Sequence, residues 1–206
     1  MPTIMVNLET DTVLLPPPEF SPSAALQLAL KSRSSSRSFS SAPLTLETLS
    51  VLLWAGFGIN RAASGGRTAP SAHNWQEIDV FAVMHEGTYR YDPKGHQLLL
   101  VKAMDLRAAT GTQDFVASAP LNLVYVADFA RMGNALEEEK PFLAGADTGC
   151  IAENIYLICA CLNLATVVRG LIDRKHLAAE LGLSATERVV LAQSVGMRPS
   201  GEIRDL

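Results

Sequence analysis

The chain has 206 residues, of which 48% are hydrophobic and 18% charged, and its formal net charge is −4. That length accommodates one domain with a sizeable core, and the low charge content disfavours disorder. The acidic balance disfavours nucleic acid as a partner.

In chain order, residues 1–20 read as an extended arm, because Pro16, Pro17 and Pro18 fix φ and lack backbone donors. Residues 21–206 read as a single domain. SPSAALQLALKSR predicts a helix with Ser21 as N-cap and Pro22 at the first helical position. SRSSSRSFSSAP is a loop. LTLETLSVLLWAGFG predicts a second helix: Leu46, Leu49, Leu52 and Leu53 repeat at helical spacing, Thr45 can cap it, and Gly56 and Gly58 stop it. INRAASGGRTAPSAHNWQE is a long polar loop. IDVFAVM, TYRYD and HQLLLV are strands joined by short turns, which implies an antiparallel meander. KAMDLRAAT predicts a short helix, LNLVYVAD a strand and GNALEEEKPFLAGA a mobile acidic connector.

DTGCIAENIYLICACLNL is the strongest helical segment and is apolar almost all round, as expected of a helix at a core centre or a subunit interface. It holds all three cysteines, Cys150, Cys159 and Cys161. Their odd number and spacing argue for small core residues rather than a disulfide framework or a zinc site. ATVVRG predicts a short strand, DRKHLAAELGL a helix capped by Asp173, RVVLAQSVGM a final strand and RPSGEIRDL an irregular tail. The mixture without regular βαβ alternation predicts an α+β fold with a mostly antiparallel sheet flanked by helices. The apolar run IYLICACLNLATVV is shorter than the ~20 residues a membrane span needs. No basic region followed by an apolar run resembles a secretory signal. A cytoplasmic protein without membrane contact is expected.

Several chemistries find no support. SGGRT is not a Walker A loop, and no GxGxxG follows a strand. No GxSxG is present, and His73, His85, His96 and His176 are scattered without metal-ligand spacing. Two polar loops remain. Arg33-Ser34-Ser35-Ser36-Arg37 places two guanidiniums four apart with hydroxyls between, either a phosphate cradle or a solvated, phosphorylatable loop. Pro70-Ser71-Ala72-His73-Asn74-Trp75-Gln76 is rich in hydrogen-bonding groups and enters a strand, either as a ligand loop or as a connector.

Together, RSSSRSF and RTAPSAHNWQ resemble the nitroreductase superfamily of flavin enzymes. Asp147-Thr-Gly149, Asn154-Ile-Tyr-Leu157, Val167-Val-Arg-Gly170 and Val195-Gly196-Met197 extend the likeness over about residues 21–199. LLPPPEF, LSVLLWAGFGIN and ATVVRGLID are similar to the branch that includes azoline-oxidising dehydrogenases. The resemblance implies an intertwined homodimer with flavin mononucleotide (FMN) at its interface and the helix from Asp147 to Leu164 as the main dimer element.

Carried over residue by residue, it implies that Arg33, Ser34, Ser35 and Arg37 hold the FMN phosphate and ribityl chain. Pro70, Ser71, Ala72 and Asn74 would reach the flavin from the partner, with Gln76 supporting their loop. Val168, Arg169 and Gly170 would lie beside the ring edge and offer backbone amides. Arg198 or Arg204 would complete the phosphate site. Gln113 is either a further flavin contact or a surface residue. Arg169 departs from the glutamate common in the family; its cation would act on the flavin or pair with Asp173. Phe142 is either part of a lid or part of a linker.

The implied activity is reduction of nitroaromatics, quinones or other flat electrophilic small molecules with NADH or NADPH, by a ping-pong mechanism. The alternatives are oxidation of an azoline-like substrate with oxygen as acceptor, for which Tyr125, Tyr156 and His73 are the candidate bases, and flavin binding without turnover.

Overall fold

The computed structural model of the protein describes residues 12–17 and 25–200. Its elements, in order, are strand β1 (Thr12–Leu14), helix α1 (Ala25–Ser32), helix α2 (Leu46–Phe57), strands β2 (Ile59–Arg61), β3 (Gly66–Arg67), β4 (Ile78–Met84), β5 (Gly87–Asp92), β6 (Gln97–Lys102) and β7 (Leu121–Asp128), helix α3 (Lys140–Cys161), strand β8 (Leu164–Arg169), helix α4 (Arg174–Leu181) and strand β9 (Glu187–Met197). Seven strands form one sheet in the order β1-β6-β5-β4-β7-β9-β8. Every pairing in it is antiparallel. The expected α+β class and the β4-β5-β6 meander are as the alternating sequence implied.

Period-2 alternation distributes the side chains between two layers. Val80, Ala82 and Met84 of β4 and Leu121, Leu123 and Tyr125 of β7 face one cluster, which α2 and α3 cover. Phe81, Val83, Val124, Val126 and Ala192 face the other, where Leu177 and Leu181 of α4 pack. Both central strands are therefore apolar at consecutive positions, because both faces of the sheet are buried.

Helix α2 begins as its sequence suggests: Thr45 Oγ1 accepts the Thr48 N–H at 3.2 Å. Gly56 does not stop it. It lies inside the helix, where a Cβ would stand 2.9 Å from Ile155 Cδ1 of α3, so glycine lets the two helices close together. Asp173 caps α4 by accepting the His176 N–H at 3.0 Å, and Gly182 ends it at φ +67°.

Other expectations are corrected. Residues 140–146 are not a connector but the opening turns of α3, and Phe142 is on the first of them, 77% exposed, rather than in a linker. Pro141 misleads as a breaker, since a helix tolerates proline in its first turn. KAMDLRAAT yields only a single 3₁₀ turn, Arg107–Thr110. There Asp105 Oδ1 accepts the Arg107 N–H at 3.0 Å, a local bond that competes with α-helix. The long polar loop contains the β2–β3 hairpin and a 3₁₀ turn over Ala72–Asn74. Ser21, Pro22 and Arg204 lie outside the described residues, as does most of the N-terminal arm. Thr12–Leu14, within that arm, forms the edge strand beside β6.

Candidate active site

The first polar loop leaves α1 and lies against α3 and β8. Ser36 donates its N–H to Thr166 O at 2.9 Å, and Ser40 donates to Met197 O at 2.8 Å. Tyr156 of α3 fixes the loop's centre: its hydroxyl is 2.7 Å from Ser35 Oγ and accepts the Val168 N–H at 2.9 Å. The Arg33 guanidinium lies over the Tyr156 ring, 5.2 Å from its centroid. From the other end of the chain, Arg198 Nη2 comes within 3.5 Å of Ser34 Oγ. Gly196 permits this return of the chain, because a Cβ there would meet Pro120 Cδ at 2.7 Å and Phe39 Cδ1 at 3.1 Å.

Arg33, Ser34, Ser35 and Arg198 thus converge, with Arg37 exposed on the same loop. Among the described residues neither Arg33 nor Arg37 forms an ion pair. Two uncommitted guanidiniums beside two exposed hydroxyls match the charge and hydrogen-bonding needs of a phosphate monoester.

The second loop is held in a left-handed path, with φ of 49° at His73, 56° at Asn74 and 51° at Gln76. Non-glycine residues in that region cost on the order of 1 kcal/mol each and persist only where neighbours fix them. Gln76 supplies much of that restraint. Its N–H donates to Ser71 Oγ at 3.0 Å, and its side-chain amide donates to Gly65 O at 3.2 Å and Asn74 Oδ1 at 3.1 Å. Its Oε1 accepts from Arg67 Nε at 2.9 Å. Asp147 Oδ2 accepts the Ala72 N–H at 2.8 Å and anchors the loop to α3. Pro70, His73 and Asn74 are exposed; Ser71 and Ala72 are half-buried.

The two loops dock on one helix, at Asp147 and at Tyr156. These positions are nine residues apart, about 13 Å along the axis. Among the described residues no hydrogen bond or ion pair joins the loops within one chain.

The third predicted segment is only partly available. The Val168 N–H is taken by Tyr156, so it is not a free donor. Gly170 is exposed. The Arg169 side chain neither points to the first loop nor pairs with Asp173. It is 6% exposed, and its Nε donates to Ser194 Oγ at 3.0 Å, its Nη2 to Asn122 Oδ1 at 2.6 Å and Thr110 Oγ1 at 3.0 Å, and its Nη1 to Thr110 O. Burial without a carboxylate lowers its pKa to about 10. Gln113 is half-buried, and its Oε1 is enclosed without a hydrogen-bond partner.

Sequence reasoning missed the anchoring roles of Tyr156 and Asp147 and passed over Glu77. The first two are polar side chains buried on the longest helix, but nine positions at about 100° each set them on opposite sides of it, so no one-sided stripe in the sequence marks them. Tyr125, a candidate base, is fully buried and donates its hydroxyl to Gln193 Oε1 at 2.6 Å.

An antiparallel sheet backed by a long central helix, with a basic serine loop and a strained polar loop anchored on that helix, is the architecture of the nitroreductase-like oxidoreductases. The nitroreductase family model matches residues 30–197. A Methanocaldococcus jannaschii protein named "Putative nitroreductase MJ1384" is 30% identical over 155 residues, 70% of this chain and 78% of that one. The crystal structure of a nitroreductase-named protein from Ralstonia eutropha JMP134 superposes with a TM-score of 0.88 at 42% identity, covering 97% of this chain and 95% of that one. The chain belongs to the nitroreductase family. A chain of the Escherichia coli microcin synthetase McbBCD complex shares the fold, with a TM-score of 0.71 at 20% identity over 91% of this chain and 78% of that one. Among the described residues, no helix is long and apolar enough to cross a membrane.

Proposed function

We propose that this protein is an FMN-dependent oxidoreductase, a single domain over residues 21–206, which takes electrons from NADH or NADPH and passes them to a flat electrophilic acceptor such as a nitroaromatic or a quinone. The observation that carries this reading is the convergence of uncommitted Arg33 with Ser34, Ser35 and Arg198. When bound, FMN would supply the hydride acceptor and donor. Arg33, Arg37 and Arg198 would neutralise its phosphate, and Ser34 and Ser35 would donate to the phosphate and ribityl oxygens, with Ser35 oriented by Tyr156. The Ser71–Asn74 segment, left-handed at His73 and Asn74, would close the site from a second copy of the chain. Nicotinamide and acceptor would occupy the same pocket in turn, which is the ping-pong order.

The distance between the two loops on α3 supports a dimer, since one chain does not bring them together. So does the outer face of that helix, where Phe142, Ala146, Gly149 and Glu153 are exposed at helical spacing.

Arg33→Ala is expected to raise the Kd for FMN about 10- to 100-fold, the loss of one charge-assisted contact to phosphate. Fluorescence titration of the flavin-free protein checks it, and unchanged affinity removes the phosphate assignment. Anaerobic addition of NADH and then NADPH to the flavin-loaded protein decides the direction of electron flow. Bleaching supports the reductase. Oxidised flavin that ignores both supports the oxygen-using dehydrogenase or a flavin carrier; His73, the exposed member of the three candidate bases, would then be the group to test first.

A further inference from the structure

Glu77 follows the left-handed loop directly. Its side chain is 0% exposed, and neither Oε1 nor Oε2 has a hydrogen-bond partner. An isolated carboxylate in such a place is expensive, and the usual resolution is to take up a proton.

Each element packed around it brings charge. From α3 comes the buried Asp147 carboxyl, with Oδ2 already engaged by the Ala72 N–H. Beside Asp147 on the helix, Thr148 Oγ1 is also enclosed without a partner. After β7 stands Arg131, a cation that acts on Glu77, yet its guanidinium is committed to Asp79 of β4, to Asp128 and to Gln76 O. From β3, Arg67 is engaged with Gln76 Oε1. The loop itself carries His73, which is exposed and stacked on Trp75 at 4.7 Å. Burial first, and then the Asp147 carboxyl, push the Glu77 pKa up to about 7, although no hydrogen bond of ordinary geometry joins the two carboxyls.

We propose that Glu77 is a positioning residue: held as a neutral acid, it leaves Asp147 as the single negative charge beneath the loop, and that charge fixes Ala72 and the left-handed turn behind it. Ionising Glu77 sets a second carboxylate against Asp147, offset only in part by Arg131, which already serves Asp79, Asp128 and Gln76 O, and loosens the Ala72–Gln76 segment. The direction of the pH effect follows. When the loop lifts, Glu77 reaches solvent and returns to the ordinary glutamate value of 4.5. Its pKa is therefore higher with the loop closed. The contribution to closure is complete below about 4.5 and is lost as pH rises to about 7. The consequence for flavin retention rests on the proposed FMN site, whereas the carboxyl pair does not.

Amide hydrogen exchange of the full-length protein tests this, read on the peptide containing Ala72–Gln76 and corrected for the intrinsic pH dependence of exchange. Between pH 5 and pH 7, wild-type protection of this segment is expected to fall by up to about tenfold per pH unit. Glu77→Gln, uncharged and of the same shape, is expected to hold protection constant over that range. Any change of charge at His73 is common to both proteins and cancels in the comparison. Asp147→Asn removes the like charge and is expected to move the midpoint to lower pH; this second variant decides the matter should Glu77→Gln fail to fold.

Parallel profiles for wild type and Glu77→Gln, or an unmoved midpoint in Asp147→Asn, overturn the proposal. Measured with and without added FMN, the two ideas fail separately. A pH step that persists while FMN leaves exchange untouched removes the flavin assignment only. FMN protection without a pH step removes the role of Glu77 only.

Discussion

Arg169 shows how a residue's type can be readable in sequence while its partners are not. A cation after Val167-Val168 suggested either an effect on bound flavin or a pair with Asp173. Sheet register decides otherwise. Arg169 lies opposite Ala192, two residues from Ser194, and Ser194 pairs with Asn122. The guanidinium therefore enters a polar pocket inside the sheet layer. Gly111 makes the space, since a Cβ there would lie 2.3 Å from Arg169 Nη1. Removing the guanidinium leaves Thr110, Asn122 and Ser194 with unmatched buried groups, so Arg169→Met is expected to lower stability by about 3 kcal/mol in urea unfolding. Arg169→Lys is expected to recover only part of that, because an ammonium lacks the fork that spans these acceptors. The two polar loops stood out by contrast, because two basic residues among serines and a run of amides are conspicuous in an apolar chain. Glu77 was not, since a lone glutamate before a strand carries no pattern that announces burial.

At the level of elements, legibility followed the strength of local signals. The start of α2 was clear because Thr45 stands just before an apolar repeat, and the capping bond is present. Thr45→Ala is expected to cost about 1 kcal/mol, seen as a lower midpoint in thermal or urea unfolding with the fold unchanged. The first turns of α3 were hidden by Glu137-Glu138-Glu139, Pro141 and Gly145, which read locally as loop. Tertiary packing outweighs those propensities: Ala144 is fully buried, and Lys140 pairs with Glu137 at 2.5 Å while its own side chain is largely enclosed. The left-handed residues of the second loop were also unreadable. Histidine and glutamine rarely announce a positive φ, and it is the Asp147 and Gln76 bonds that impose it here.

For the whole molecule, the antiparallel meander and the α+β class could be read from the strands, but the strand order could not. The insertion of β9 between β7 and β8, and of β4 between β5 and β7, depends on contacts far apart in sequence. Subunit association belongs to this scale. Gly149 lies on the exposed side of α3, with no atom within 4 Å of where a Cβ would sit. If the proposed dimer forms through this face, Gly149→Arg is expected to leave the fold of one chain intact while giving monomers where the wild type gives dimers, checked by sedimentation velocity alongside circular dichroism. The anchoring of both loops on α3 also makes that helix a ruler. Each residue advances it by about 1.5 Å and turns it by about 100°. One residue inserted between Asp147 and Tyr156 would leave the sheet its strands and the loops their sequences, yet swing one anchor away from its loop. The spacing between those two side chains is as much a part of the site's specification as the residues that touch a ligand, and among homologues it is the length of this stretch, more than its composition, that should resist change.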